Sequence, residues 1–174
     1  DDISSSDRLA KQVALISGND VDVCGAQIVE FWGADVPSSF VGLKSRWVPL
    51  AHDEVSRMMP RRNPMNHVTA LVKTELLRSS GGYNPSLKYY EDYELWFRLM
   101  KNGAKFINHN EPLVLVRFNH TQLQSRSGIS GGKRELAFQR HLLANKWISK
   151  SRFIVNCLVR VSSRLLGARI ASLV

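Results

Sequence analysis

Glu91-Asp92-Tyr93-Glu94-Leu95-Trp96-Phe97-Arg98-Leu99-Met100-Lys101, then Asn102-Gly103, then Phe106-Ile107 and Leu113-Val114-Leu115-Val116, is the stretch whose reading decides the fold. Leu95, Trp96 and Leu99 fall on one side of a helix, and Gly103 stands just past its end, where positive φ is cheap. The spacing predicts a helix over 91–101 and two short strands over 106–107 and 113–116. Upstream, Thr74 to Ser79 has room for two helical turns before Ser80-Gly81-Gly82 stops them. Val68 to Val72 reads as a buried strand. Pro49 can open a helix running to Met59, since proline is tolerated in a first turn, and Pro60 and Pro64 interrupt any continuation. Val21 to Val29 is rich in β-branched residues and reads as a strand followed by a loop with Gly33, Pro37 and Gly42. Arg8 to Ile16 is a short helical pattern behind the capping side chains of residues 1–7. Beyond the strands, residues 128–132 read as a hinge-like glycine loop before helical segments over 133–147 and 151–171. The mixture is α/β or α+β.

Composition narrows the class. The 174 residues are 44% hydrophobic and 22% charged, ordinary globular usage, with 11 Gly and 6 Pro. Cys24 and Cys157 stand far apart with no Cys-x-x-Cys pair, which supports neither a disulfide framework nor structural zinc and fits a reducing compartment. No apolar run reaches the roughly 18 residues that span a bilayer, and the acidic, polar start is unlike a signal peptide. The formal charge is +9, but residues 1–116 hold 13 Lys/Arg against 14 Asp/Glu, whereas 117–174 hold 11 Lys/Arg against Glu135 alone. The excess is confined to the tail. With no recognition motif beside it, nucleic acid is an unlikely partner of the main body.

Two acidic constellations carry candidate chemistry. Asp1-Asp2 could bind a hard cation such as Mg²⁺ or Mn²⁺ through oxygen, or could serve as a helix cap. Glu91-Asp92, after the Gly81-Gly82-Tyr83 turn, could place a general base in a cleft, or could merely complement the helix dipole.

Taken in order, Asp1-Asp2-Ile3-Ser4, Arg62-Asn63-Pro64-Met65-Asn66-His67, Gly81-Gly82-Tyr83, Glu91-Asp92-Tyr93-Glu94-Leu95-Trp96 and Gly103-Ala104-Lys105-Phe106 resemble the family 2 glycosyltransferases of bacterial polysaccharide synthesis. The resemblance spans about residues 1–120. It implies a partial GT-A, Rossmann-like α/β domain over 1–120, the acceptor-side part, with a basic, helical extension over 121–174. It further implies transfer of a sugar from a nucleotide-diphosphate sugar to a glycan or lipid-linked acceptor, by inversion, with Mg²⁺ or Mn²⁺. Family members carry Asp-x-Asp-Asp before Ile-Ser. Asp1 then matches the second aspartate and Asp2 the residue after it, while the first aspartate and the nucleotide-binding units before it have no counterpart here. A chain of this extent is expected to be inactive alone.

The same resemblance makes Asp92 the base that deprotonates the acceptor hydroxyl, with Glu91 as the alternative, and assigns Gly81, Gly82, Tyr83, Asn66, His67, Trp96 and Arg117 to substrate binding. His67 either orients the acceptor or satisfies a buried turn. Metal ligands are Asp1, Asp2 and His120, although Arg117-Phe118-Asn119-His120 is one residue longer than the family's Arg-x-His. His52, His109 and His141 read as surface or loop residues.

From Phe153 onward, Ile154, Val155, Leu158, Val161, Leu165, Leu166, Ile170 and Leu173 recur at helical spacing, with Arg152, Arg160, Arg164 and Arg169 among them. This is the pattern of an interfacial amphipathic helix. The expected location is cytoplasmic, peripheral at the inner face of the membrane. A helix packed on the protein's own core is the competing reading, and a non-catalytic module binding an anionic surface or nucleic acid is the competing function.

Overall fold

The computed structural model describes residues 2–33, 35, 37, 43–118 and 127–166, the side chain of residue 166 excepted. Two compact units divide the chain at Phe118/Asn119.

The first unit is built on a five-stranded mixed sheet: β1 (Ile3–Ser4), β2 (Val23–Trp32), β3 (Lys44–Arg46), β4 (Leu71–Val72) and β5 (Phe106–Phe118), with β1-β5-β2-β3 in spatial order and β4 also on β2. The long pair, β2 and β5, is parallel, while β1, β3 and β4 attach antiparallel. β2 is buried along nearly its whole length, the signature of a strand covered on both faces. Helices α1 (Arg8–Gly18), α2 (His52–Met58), α3 (Thr74–Ser79) and α4 (Glu91–Lys101) complete the unit, with a 3-10 turn at His67–Thr69.

The helix expected over 91–101 forms with those bounds and buries Tyr93, Leu95, Trp96, Phe97 and Leu99. Other elements differ from expectation for identifiable reasons. Phe106 to Phe118 is one strand, because Pro112 falls in an irregularity where its missing N–H costs no ladder bond. There the partner of β2 jumps from Ala26↔His109 to Gln27↔Pro112 and then to Ile28↔Val114. The fully buried Gln27 amide fills the break, donating to the carbonyls of His109 and Val48 at 3.1 Å each and accepting from Val48 N–H at 2.7 Å. Pro49 lies outside α2, which starts at His52. The Glu54 carboxylate closes that turn by accepting from Leu50 and Ala51 N–H. Val68 is exposed in the 3-10 turn, and only Leu71–Val72 is strand. Asp7 precedes α1 but makes no cap bond. Its carboxylate is taken by Ser5 and by Lys11 at 2.8 Å. A further strand, β3, occupies part of the stretch expected as loop.

The second unit contains α5 (Gly128–Ala144), α6 (Lys150–Asn156), a π-helical turn (Cys157–Val161) and α7 (Ser162–Leu166). The expected glycine hinge is the first turn of α5 instead. Gly131 and Gly132 are buried, and a Cβ on Gly132 would come within 2.8 Å of Leu165, so the glycines permit close helix packing. Among the described residues no helix is long and apolar enough to cross a membrane, and both cysteines are free.

Near the start of β2, Gly25 faces Asn108 of β5. A Cβ there would collide with Asn108 Oδ1 and come within 2.8 Å of Met65 Cε. The Asn108 amide uses the space to donate to the Pro49 carbonyl at 2.6 Å and the Pro64 carbonyl at 3.2 Å, which pins two loops to the sheet. Gly25→Ala is therefore expected to lower unfolding free energy by about 1–3 kcal/mol through overpacking. Urea denaturation should register a clearly smaller loss in an Asn108→Ala background, since the colliding amide is then gone.

Candidate active site

The loop that carries Asn63, Asn66 and His67 hangs from the middle of β2. Asn66 donates to the Ala26 carbonyl at 3.0 Å, and the Thr69 hydroxyl accepts from Ala26 N–H at 2.8 Å while donating to the Asn66 carbonyl at 2.7 Å. Beneath them, the buried Gln12 amide of α1 ties Thr69 to Cys24 through their carbonyls. The Cys24 thiol, in turn, is pushed up in pKa by burial, so this cysteine is an inert core residue.

This scaffold meets the start of α4. Asn63 donates through Nδ2 to Asp92 Oδ2 at 2.7 Å and accepts through Oδ1 from Met65 N–H at 3.1 Å, so its amide orientation is fixed from both ends. Asp92 lies half-buried in the first turn of α4, beside N–H groups that no helical carbonyl satisfies. One of its oxygens is held by Asn63, and the other makes no hydrogen bond to a described residue. A carboxylate in that state can take a proton from a hydroxyl brought to it.

Tyr83 comes from the glycine turn before α4. Its hydroxyl meets His67 Nε2 at 3.1 Å. Burial, then the charges of Asp92 and Glu91, push its phenol above the ordinary tyrosine value. The same two carboxylates therefore act on one half-exposed ring. His67 is exposed, with its ring 5.7 Å from Tyr83 and 6.2 Å from Trp96.

Two consecutive glycines in the left-handed region, Gly81 at φ +83° and Gly82 at φ +67°, give the turn its path. Arg98 holds it there. Its guanidinium donates to the carbonyls of Ser80 and Gly82, the latter at 2.6 Å, and pairs with the buried Glu94 carboxylate at 2.9 and 3.1 Å. The i,i+4 pair thus joins the turn bearing Tyr83 to the helix bearing Asp92.

The structure brings together Asn63, His67, Tyr83, Glu91 and Asp92. Asn66 and Trp96 belong to the support. Asn66 is buried with its amide on Ala26, and Trp96 is fully buried beneath His67 and 6.2 Å from Phe106, so neither presents a free surface. Asn63 and Arg98 were not among the expected site residues. Each acts on a group 16 to 29 positions away, and only the Asn-Pro dipeptide and the Glu94/Arg98 spacing hint at them.

Arg117 and Asp2 form a separate group near the end of β5. Arg117 N–H donates to Asp2 Oδ1 at 3.1 Å, while its guanidinium donates to the Gly33 carbonyl and lies 4.7 Å above the Phe31 ring. Asp1 and His120 lie outside the described residues. Among the described residues no three His, Cys, Asp or Glu gather as a metal site. Of the expected metal ligands only Asp2 is among the described residues, and its Oδ1 accepts from Arg117 N–H.

The fold has a counterpart among known structures. The chain is similar to the GT-A glycosyltransferase TarS of S. aureus, residues 1–349 in complex with UDP-GlcNAc, with a TM-score of 0.56 over 95% of this chain and 46% of that one, at 17% identity. At that identity the likeness defines the fold, a mixed α/β sheet of the GT-A kind. Curated relatives narrow it. The chain is 28% identical over 171 residues to the amylovoran biosynthesis glycosyltransferase AmsE of Erwinia amylovora, covering 98% of this chain and 62% of that protein. It is 30% identical over 168 residues to the UDP-Gal:alpha-D-GlcNAc-diphosphoundecaprenol beta-1,3-galactosyltransferase of Escherichia coli, covering 95% of this chain and 58% of that protein. An uncharacterized glycosyltransferase of Haemophilus influenzae matches at 32% over 136 residues. No protein-family model matches. The chain is a homologue of bacterial glycosyltransferases of polysaccharide biosynthesis, and it spans about 60% of the length of the first two relatives.

Replacing Arg98 by Lys keeps the charge but loses the planar fork that grips Glu94 and the turn together. The phenol of Tyr83 should then titrate closer to free tyrosine, as it should in Asp92→Asn, because a negative neighbour disfavours phenolate and its loss or retreat lowers the pKa. The ¹³Cζ shift of labelled Tyr83 followed against pH measures this. An unchanged midpoint in both variants would separate Tyr83 from the carboxylates.

Proposed function

We propose that this chain forms the acceptor side of an inverting glycosyltransferase that adds a sugar from a UDP-sugar to a hydroxyl of a lipid-linked glycan in bacterial surface-polysaccharide synthesis. The observation that carries it is the Asp92 carboxylate, fixed by Asn63 on one oxygen and unengaged on the other, beside the half-exposed Tyr83 and exposed His67. The UDP-sugar and the diphosphoundecaprenol acceptor in the names of similar proteins support the substrate class.

In this scheme the acceptor hydroxyl approaches the unengaged Asp92 oxygen. As its oxygen bonds to the anomeric carbon, the carbon–oxygen bond to the diphosphate breaks on the opposite face, and the hydroxyl proton passes to Asp92. UDP leaves with the bonding electrons. Asn63 keeps the carboxylate aimed. Tyr83 and His67 supply polar edges for a sugar, with Gly81 and Gly82 setting the path of the wall. Glu91 stands beside Asp92 at the start of α4, and its buried Oε2 has no hydrogen-bond partner among the described residues. The donor would lie toward Asp2 and Arg117, and no step is assigned to a metal.

Transfer of labelled sugar from UDP-galactose and UDP-GlcNAc to a polyprenyl-diphosphate-linked acceptor, by the protein carrying this chain, tests the reading. Asp92→Asn is expected to reduce kcat by about 10²- to 10⁴-fold with an unaltered unfolding curve. Near-normal turnover by that variant would remove Asp92 as the base, and retention of anomeric configuration in the product would remove the inverting scheme.

A further inference from the structure

Read as an amphipathic helix, residues 150–166 are turned inside out. Asn156, Arg160 and Arg164 face α5. Buried Asn156 donates to Gln139 at 2.9 Å, Gln139 donates to the fully buried Glu135 at 3.0 Å, and Arg160 binds both Glu135 oxygens at 2.7 and 3.2 Å, with Arg164 at 3.6 Å. Four of the segment's apolar side chains point to solvent. Ile154 is 56% exposed, Leu158 67% and Val159 64%, with Val155 also exposed beside them. Arg160 and Arg164, expected to meet a membrane, are committed to Glu135 instead.

Holding several polar groups inward leaves an apolar strip outward, which monomeric soluble proteins ordinarily avoid. Charge says what covers it. Residues 119–174 hold ten Lys/Arg against one acid, Glu135, and that acid is fully buried. The described surface of this unit therefore carries positive charge only, with Lys133, Arg140, Lys146 and Lys150 exposed. A second copy of the same strip would bring two strongly cationic units together. An anionic bilayer offers hydrocarbon for the strip and counter-charge for the rim.

We infer that the strip Ile154, Val155, Leu158 and Val159 is a docking surface that inserts into the headgroup boundary of an anionic lipid membrane, with Lys146 and Lys150 as its electrostatic flank. The surface is independent of the Asp92 chemistry, so either can fail alone.

Flotation of the whole chain with vesicles of phosphatidylglycerol and phosphatidylcholine, against vesicles of phosphatidylcholine only, tests it. Binding is expected to the anionic vesicles and to weaken with salt. Leu158→Asp with Val159→Asp should abolish flotation while the circular dichroism and unfolding midpoint stay at wild-type values, because neither side chain is part of the Glu135 network. Lys146→Gln with Lys150→Gln should weaken partition on the order of tenfold or more, at roughly fivefold per basic residue. Undiminished flotation of the Asp pair, or no flotation by the folded wild-type chain, overturns the inference. So does a concentration-dependent dimer that the Asp pair dissociates, since the occupant is then a second copy.

Discussion

The arrangement depends on the space left where Gly25 has no side chain. Into it goes the amide of Asn108, and from there that amide reaches the carbonyls of Pro49 and Pro64. Both loops would otherwise lose a tie to the sheet. A buried amide is costly unless bonded, and the contact that anchors the loops satisfies Asn108 Nδ2, while its Oδ1 has no partner among the described residues. The next residues along β2 continue the pattern. Ala26 exchanges hydrogen bonds with Thr69 and Asn66, and Gln27 seals the irregularity opposite Pro112. Two of these three successive positions, Gly25 and Ala26, thus fix the chain on which Asn63 and His67 stand.

What the sequence made legible was local. The helix over 91–101 carries its own apolar face, an acidic first turn and a glycine just beyond its end, so its bounds needed no tertiary information. The strand over Phe106–Phe118 was read as two because Pro112 and the polar residues before it break the alternation. The side chain that heals the break belongs to Gln27, some eighty residues upstream. Motif resemblance picked out Asp92 and Tyr83. It did not separate groups that line the site from those that support it, because burial of Asn66 and Trp96 arises from contacts with β2 and β5. The setting of two tail arginines was hidden for the same reason. Arg160 and Arg164 look like solvent-facing charges until Glu135, 25 and 29 positions earlier, is placed against them.

Buried ion pairs recur in both units, and in each they orient more than they stabilise. Charge desolvation offsets much of the attraction, so such a pair adds little net free energy, while removing one partner strands the other. Glu94 with Arg98 sets the pose of a turn, and Glu135 with Arg160 sets which face of a helix looks outward.

The Arg98 fork ties Ser80 and Gly82 to the helix that starts at Glu91 and carries Asp92 in its first turn. Mechanically, the phenol and the carboxylate ride on one lever. When α4 rocks or breathes, both ends of the reaction zone travel together, and the gap between them varies less than the displacement of either. Surface turns normally wander independently of their neighbours, and a misplacement of about 1 Å can cost on the order of a hundredfold in rate. Common-mode motion lets a glycine-rich turn, the least stiff kind of backbone, keep a fixed separation from the helix that carries the carboxylate.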